Sequence, residues 1–185
     1  MPHFSPLDSP YHPSIPHWHT ECSMTDHLAL DPLNHWELDR EIVLMRVFGA
    51  PREDVFAAWT SAEAFAQWFG PDGFVTTVHH MDTRVGGEAR FDMVAADGTV
   101  FTNRYHYFKV VQNQNLVMDH GSDIDNDPNR FRVTVSFDQQ DDGKTIVTMR
   151  QLQPTVEARN AVVAFGAVEM GLQTLNKLAR YLGVA

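Results

Sequence analysis

An α+β fold is predicted for this sequence, a curved antiparallel sheet with one long helix lying in its concave face. Three observations predict it. Short stretches of alternating apolar and polar residues recur between turn dipeptides, as strands of an antiparallel meander do. Two short helical patterns interrupt them, directly after the first strand. The last 30 residues carry an apolar stripe at helical spacing. In this order, the single long helix can bury its apolar face only against the sheet. A curved sheet leaves a gap beneath such a helix, and gaps of this kind serve as small-molecule pockets.

The elements follow in order. Residues 1–36 hold six of the ten histidines and most of the prolines, with no periodicity. Each proline fixes φ and removes a donor, so a disordered N-terminal extension is predicted there. Met24 offers an alternative start within it. Residues 37–185 then read as a single domain. "ELDREIVLMRVFGA" is a strand, with Ile42, Leu44 and Arg46 on one face and Val43, Met45 and Val47 on the other. "APREDVFAAWTSAEAFAQWF" turns helical. Pro51 suits a first turn, Glu53 and Asp54 favour the positive end of the dipole, and Ser61 can cap a second short helix. Val55, Phe56, Trp59, Phe65, Trp68 and Phe69 face inward. Gly70-Pro71-Asp72-Gly73 ends that helix and turns the chain into the next strand. The strands "GFVTTVHHMDTR", "EARFDMVAA", "TVFTNRYHYFKVV", "LVMDHGS", "RFRVTVSFDQQ" and "KTIVTMRQLQ" follow, several of them joined by Gly-Gly, Asp-Gly or Gln-Asn turns. The closing helix is read as one piece, with Ala161, Ala164, Phe165, Val168, Leu172, Leu175, Ala179 and Leu182 on its inner stripe. Gly166 and Gly171 within it mark a kink or a close approach.

Composition narrows the function classes. The chain has 185 residues, 43% hydrophobic, and a net charge of -10. That length favours one domain, and the charge argues against nucleic acid or an anionic membrane as partner, since both need a basic footprint. A homodimer is compatible with this composition. Cys22 is the only cysteine, so no intrachain disulfide forms. No apolar run is long enough to span a membrane, and the N-terminus lacks the apolar core of a signal peptide, so a cytoplasmic protein is expected.

No motif carries evident chemistry. "HWHTEC" matches no zinc spacing. His79 and His80 in "VHHMDTR" point to opposite faces of a strand and cannot share an ion. "DIDNDPNRFRVT" begins like a calcium loop, but Pro128 stands where glycine is needed and Thr134 where glutamate is needed. "RVGGEARF" has no helix after Gly87 to cradle a phosphate. No nucleophile elbow or triad order appears, so no catalytic residue, metal or cofactor is assigned. In "TNRYHYF" Tyr105 and Tyr107 share one face, Arg104 and His106 the other.

Several of these segments, taken together, resemble the SRPBCC (START-like, helix-grip) superfamily, and within it the group named for the activator of Hsp90 ATPase homologue, C-terminal domain. The matching text is "APREDVFAAWTSAEAFAQWFGPDGF", "DTRVGGEARFDM", "DGTVF", "LVM", "VTVSFDQQDDGKTIVTM" and "EMGLQTLNKLARYL", from about residue 38 to the end. The resemblance implies a β-α-α-β6-α helix-grip fold with a cavity between sheet and long helix. Ala89, Tyr105, Lys109 and Leu172 depart from residues common in that group, which implies a pocket with changed lining. The expected function is binding of a small hydrophobic or aromatic molecule by Trp59, Trp68, Phe74, Phe91, Met93, Tyr105, Tyr107, Phe165 and Met170. Two alternatives come with the resemblance. One is a chaperone-interacting domain that stimulates an Hsp90-type ATPase. The other is a cyclase- or hydrolase-type enzyme using Tyr105 or His106.

Overall fold

The computed structural model describes residues 31–184. The expectations for residues 1–30, including Met24 as a start and the "HWHTEC" cluster, lie outside the described residues. The first strand is β1 (Glu41–Phe48), followed by α1 (Arg52–Thr60) and α2 (Ala62–Trp68). Six strands come next: β2 (Val75–Met81), β3 (Glu88–Val94), β4 (Val100–Val111), β5 (Asn115–Ser122), β6 (Phe131–Gln139) and β7 (Thr145–Leu152). Two helices close the chain, α3 (Val156–Phe165) and α4 (Ala167–Tyr181). All strand pairs are antiparallel, in the order β1-β7-β6-β5-β4-β3-β2. The α+β class and the helix-grip arrangement are therefore as expected, with the curved sheet around the C-terminal helical segment.

Local chemistry explains the elements. Ser61 Oγ accepts from the amide of Ala64 and caps α2. β6 shows the alternation its sequence demands: Val133, Val135 and Phe137 are buried, while Arg132, Thr134 and Ser136 are half-exposed between them. In β1, Ile42 and Leu44 face the core, and Val43, Met45 and Val47 are exposed on the other side. The core is aromatic at one end. Trp59, Phe65, Trp68, Phe69, Phe91 and Tyr105 meet mostly edge to face, with Trp59 and Trp68 centroids 4.9 Å apart and Phe91 and Tyr105 5.1 Å apart. The Trp68 indole N–H donates to the carbonyl of Ala58 at 2.9 Å, so its polar atom is satisfied inside the core.

The closing segment differs from the single helix expected. Gly166 adopts φ +103°, a left-handed conformation that ends α3 and restarts the chain as α4. Glycine reaches it without steric cost. The break uncouples the two helical faces, so the apolar stripe does not run through. Leu175, Leu178 and Ala179 of α4 are buried, whereas α3 buries no residue. Phe165 is 77% exposed, and Val168 and Leu172 lie open at the helix surface. Ala161 and Ala164 are exposed too, contrary to the inward stripe. Gly171 is the close approach: a Cβ there would sit 2.2 Å from Leu44 Cδ1.

Residues 31–36, which the composition groups with the tail, pack onto the domain. The Arg40 guanidinium is buried and donates to the carbonyls of Pro32 (3.0 Å), His35 (2.5 Å), Gln153 (3.0 Å) and Pro154 (2.8 Å). One cation thus ties the start of the described chain to the end of β7, and Leu33 is buried beside it.

Candidate functional site

A pocket of about 260 Å3 lies between the first turns of α4 and the concave face of the sheet. Its helical wall is Ala167, Met170, Gly171 and Thr174, with Phe165 at the end of α3. The loop after α2 supplies Phe69, Gly70, Pro71 and Phe74. The sheet supplies Met93, Phe101, Tyr105, His120, Phe131, Val133, Met149 and Gln151. Strand register explains why these residues converge. Ala89, Tyr105, His120 and Phe131 are direct neighbours across β3, β4, β5 and β6, so they form one row on the inner face. Ala89, at 0% exposure, is the small member of that row, beside the large Tyr105 ring.

Of the nine residues expected to bind the ligand, the structure brings five together at the pocket. Phe74, Met93, Tyr105, Phe165 and Met170 line the pocket. The other four do not. Trp59, Trp68, Phe91 and Tyr107 are sealed in the core, because α1, α2 and the sheet close over them before the pocket begins. Sequence reasoning missed Phe101, His120, Phe131, Met149 and Gln151 as lining. The period-2 pattern places Phe131 and Val133 on one face. Nothing in the sequence shows that His120 stands opposite Tyr105, since that depends on register.

Among the described residues the lining contains no Lys, Arg, Asp or Glu. Its polar groups are few. The Thr174 hydroxyl donates its proton to the carbonyl of Met170 at 2.9 Å. Tyr105 is 2% exposed, and its hydroxyl has no hydrogen-bond partner among the described residues. Burial pushes its pKa well above the usual phenol range, with Tyr107 adding to the effect, so Tyr105 stays a neutral O–H. Burial also brings the His120 imidazole down to about 4, against a small opposing pull from Asp127, so it is neutral near pH 7. Its ring stands edge-on to Tyr105, with centroids 4.8 Å apart.

The pocket rim is held from behind by α4. Gly70 (φ +95°) and Gly73 (φ +83°) shape the loop, and the Phe74 amide donates to the Pro71 carbonyl at 3.2 Å. Lys177 Nζ donates to the carbonyls of Phe74 (3.1 Å), Pro71 (3.4 Å) and Phe69 (3.5 Å). Arg180 pairs with the Asp72 carboxylate at 2.7 Å, and Gln173 Oε1 accepts from the Asp72 amide at 3.2 Å. The loop is a structural rim, fixed by three side chains of one helix face.

A second, larger cleft of about 550 Å3 lies on the outer face of the sheet. Arg104, Arg130 and Arg132 line it, and each is already paired. Arg104 donates to Asp123 (2.6 Å) and Asp125 (2.8 Å), and Arg130 to Asp31 (2.5 Å) and Asp119 (3.3 Å). Arg132 donates to Asp119 and lies over the Phe108 ring, 4.4 Å from its centroid. The acidic loop that begins like a calcium site serves this network. Asp127 caps the amides of Ser122 (2.7 Å) and Asn129 (2.9 Å). Among the described residues no group of three or more His, Cys, Asp or Glu could hold a metal ion. His79, from the paired histidines, bonds Asp92 at 2.8 Å instead. Mutual neutralisation leaves the outer cleft with little free charge for a ligand, whereas the inner pocket has unspent polar atoms.

Comparison with known proteins agrees with this architecture. The family described as Activator of Hsp90 ATPase homolog 1-like protein matches residues 49–183, more than half of the chain. No curated protein matches. Solved structures of the same fold include one from Nitrosomonas europaea, 19% identical, covering 80% of this chain and 97% of its own, with a TM-score of 0.72. Another, from Arthrobacter aurescens, is 19% identical over 78% of this chain and 87% of its own, at 0.73. A third, from Staphylococcus epidermidis, is 25% identical over 80% and 92%, at 0.70.

Proposed function

The chain belongs to the Activator of Hsp90 ATPase homolog 1-like protein family, and from that premise we propose that it binds a small hydrophobic or aromatic molecule between sheet and α4. The observation that carries this reading is the pocket itself: apolar, uncharged, open at a rim of aromatic side chains, and fitted with only a few polar atoms. Such a lining is what small-molecule sites present. Its volume of about 260 Å3 lies just below the usual range of ligand sites and suits a compact ligand of one to three rings. Burying apolar ligand surface contributes about 25 cal/mol per Å2, so the driving force for binding needs no ion pair.

The test is titration with N-phenyl-1-naphthylamine, a neutral dye that brightens in apolar sites. Saturable brightening is expected, and Ala167→Trp, which fills the pocket from the first turn of α4, should abolish it. Absence of saturable brightening with this dye and with smaller neutral aromatics would refute the reading. Equal brightening in the filled variant would move the site elsewhere.

A further inference from the structure

We infer that the pocket selects a neutral aromatic carrying a hydroxyl group, held between the Tyr105 hydroxyl as donor and the His120 Nδ1 as acceptor. The inference deepens the ligand-binding reading and rests on it. Its basis is a chain of hydrogen bonds that fixes the tautomer of His120. The Phe101 carbonyl can only accept, so the Asn103 atom 2.7 Å from it is the Nδ2 donor. The other amide atom of Asn103 is then Oδ1, which can only accept. His120 Nε2 lies 2.9 Å from it and therefore carries the ring proton. Nδ1 is left as a lone-pair acceptor, with no partner among the described residues.

Tyr105 supplies the complementary half. Its side chain is almost wholly buried, lines the pocket, and has no partner for its O–H among the described residues. Both residues line the pocket, so a donor and an acceptor without partners among the described residues are offered to a ligand group that matches them. A hydroxyl is one group that satisfies both, accepting from Tyr105 while donating to His120. The two rings are 4.8 Å apart between centroids and adjacent in register, so the two side chains belong to one region of the pocket wall. Charged head groups are disfavoured. A carboxylate would meet an uncharged lining with the His120 lone pair in it, and burial keeps that imidazole unprotonated at neutral pH. Asn103 is the positioning residue: it touches His120, not the ligand.

The experiment compares four probes by calorimetry or intrinsic fluorescence: 2-naphthol, 2-methoxynaphthalene, naphthalene and 2-naphthoate. The ring system is constant, so differences report the head group. Expected is 2-naphthol tightest, by at least tenfold over naphthalene. The methyl ether, which accepts but cannot donate, should fall between them, and the naphthoate should be weakest. In Tyr105→Phe the naphthol-to-naphthalene ratio should fall toward one. Equal binding of naphthol and naphthalene by the natural protein would overturn the inference while leaving the ligand-binding reading intact. Tighter binding of naphthoate would overturn it likewise. Failure of all four probes to bind would count against the underlying reading instead.

Discussion

At the scale of single residues, two glycines in the closing segment do different jobs. Gly166 holds φ +103°, which an L side chain reaches only with strain of about 1–2 kcal/mol. Gly166→Ala should therefore lower stability by about that amount in urea unfolding, although alanine favours helix elsewhere. Gly171 has ordinary helical geometry, but a methyl group there would overlap Leu44 Cδ1 in the core. Gly171→Ala should cost about 1 kcal/mol net, the overpacking exceeding the gain in helix propensity, by the same measurement. Both glycines could be flagged from the sequence, because glycine inside a helical pattern needs a reason. The sequence does not show which one bends the chain and which one admits a neighbour, since that depends on where Leu44 lies. Tyr105 and Tyr107 teach the same lesson. Alternation puts them on one face correctly, yet only Tyr105 reaches the pocket and Tyr107 is enclosed.

At the scale of elements, α4 has two working faces. Leu175, Leu178 and Ala179 bury against the core, while Gln173, Lys177 and Arg180 hold the Gly70–Phe74 rim. Lys177 is the hub, with three carbonyl acceptors, and partial burial draws its pKa below the usual lysine range. Lys177→Met keeps an unbranched apolar stem and removes the donors. It should cost about 1 kcal/mol and speed hydrogen exchange at Asp72 and Phe74, with amides in β6 unchanged. Unchanged exchange in the loop would mean that Asp72 and the glycines hold it alone. The loop was legible as a helix stop and turn, from Gly, Pro and Asp-Gly. Its clamp was not legible, because Lys177 lies over 100 positions away in sequence. The strands were legible for a physical reason: with one face buried, period-2 patterning is enforced, as in β6. A full break between α3 and α4, rather than a kink, was not legible, because apolar residues on both sides keep helical spacing even where they are exposed.

At the scale of the whole molecule, the fold separates charge from the apolar pocket. The outer face carries the paired arginines and aspartates, and the inner face an uncharged pocket. No described helix is long and apolar enough to cross a membrane. Burial of a neutral imidazole gives the fold a pH signature. His120 has a folded pKa near 4, below the ordinary 6.5, so between those values the unfolded chain binds more protons. The stabilisation is complete above about pH 6.5 and is lost as pH falls toward 4, with a ceiling on the order of 3 kcal/mol. Urea unfolding at pH 7 and pH 4.5 should show a larger loss for the natural chain than for His120→Gln. Equal losses would remove His120 from the acid response.

The central claim is that the inner pocket, not the outer cleft, is the binding site. Its most direct test is an amide NMR titration with 2-naphthol. Shifts are predicted at Tyr105, His120 and Met170–Thr174, converging on one saturating site. Shifts confined to Arg104, Asp119 and Arg132, or none at all, would contradict it.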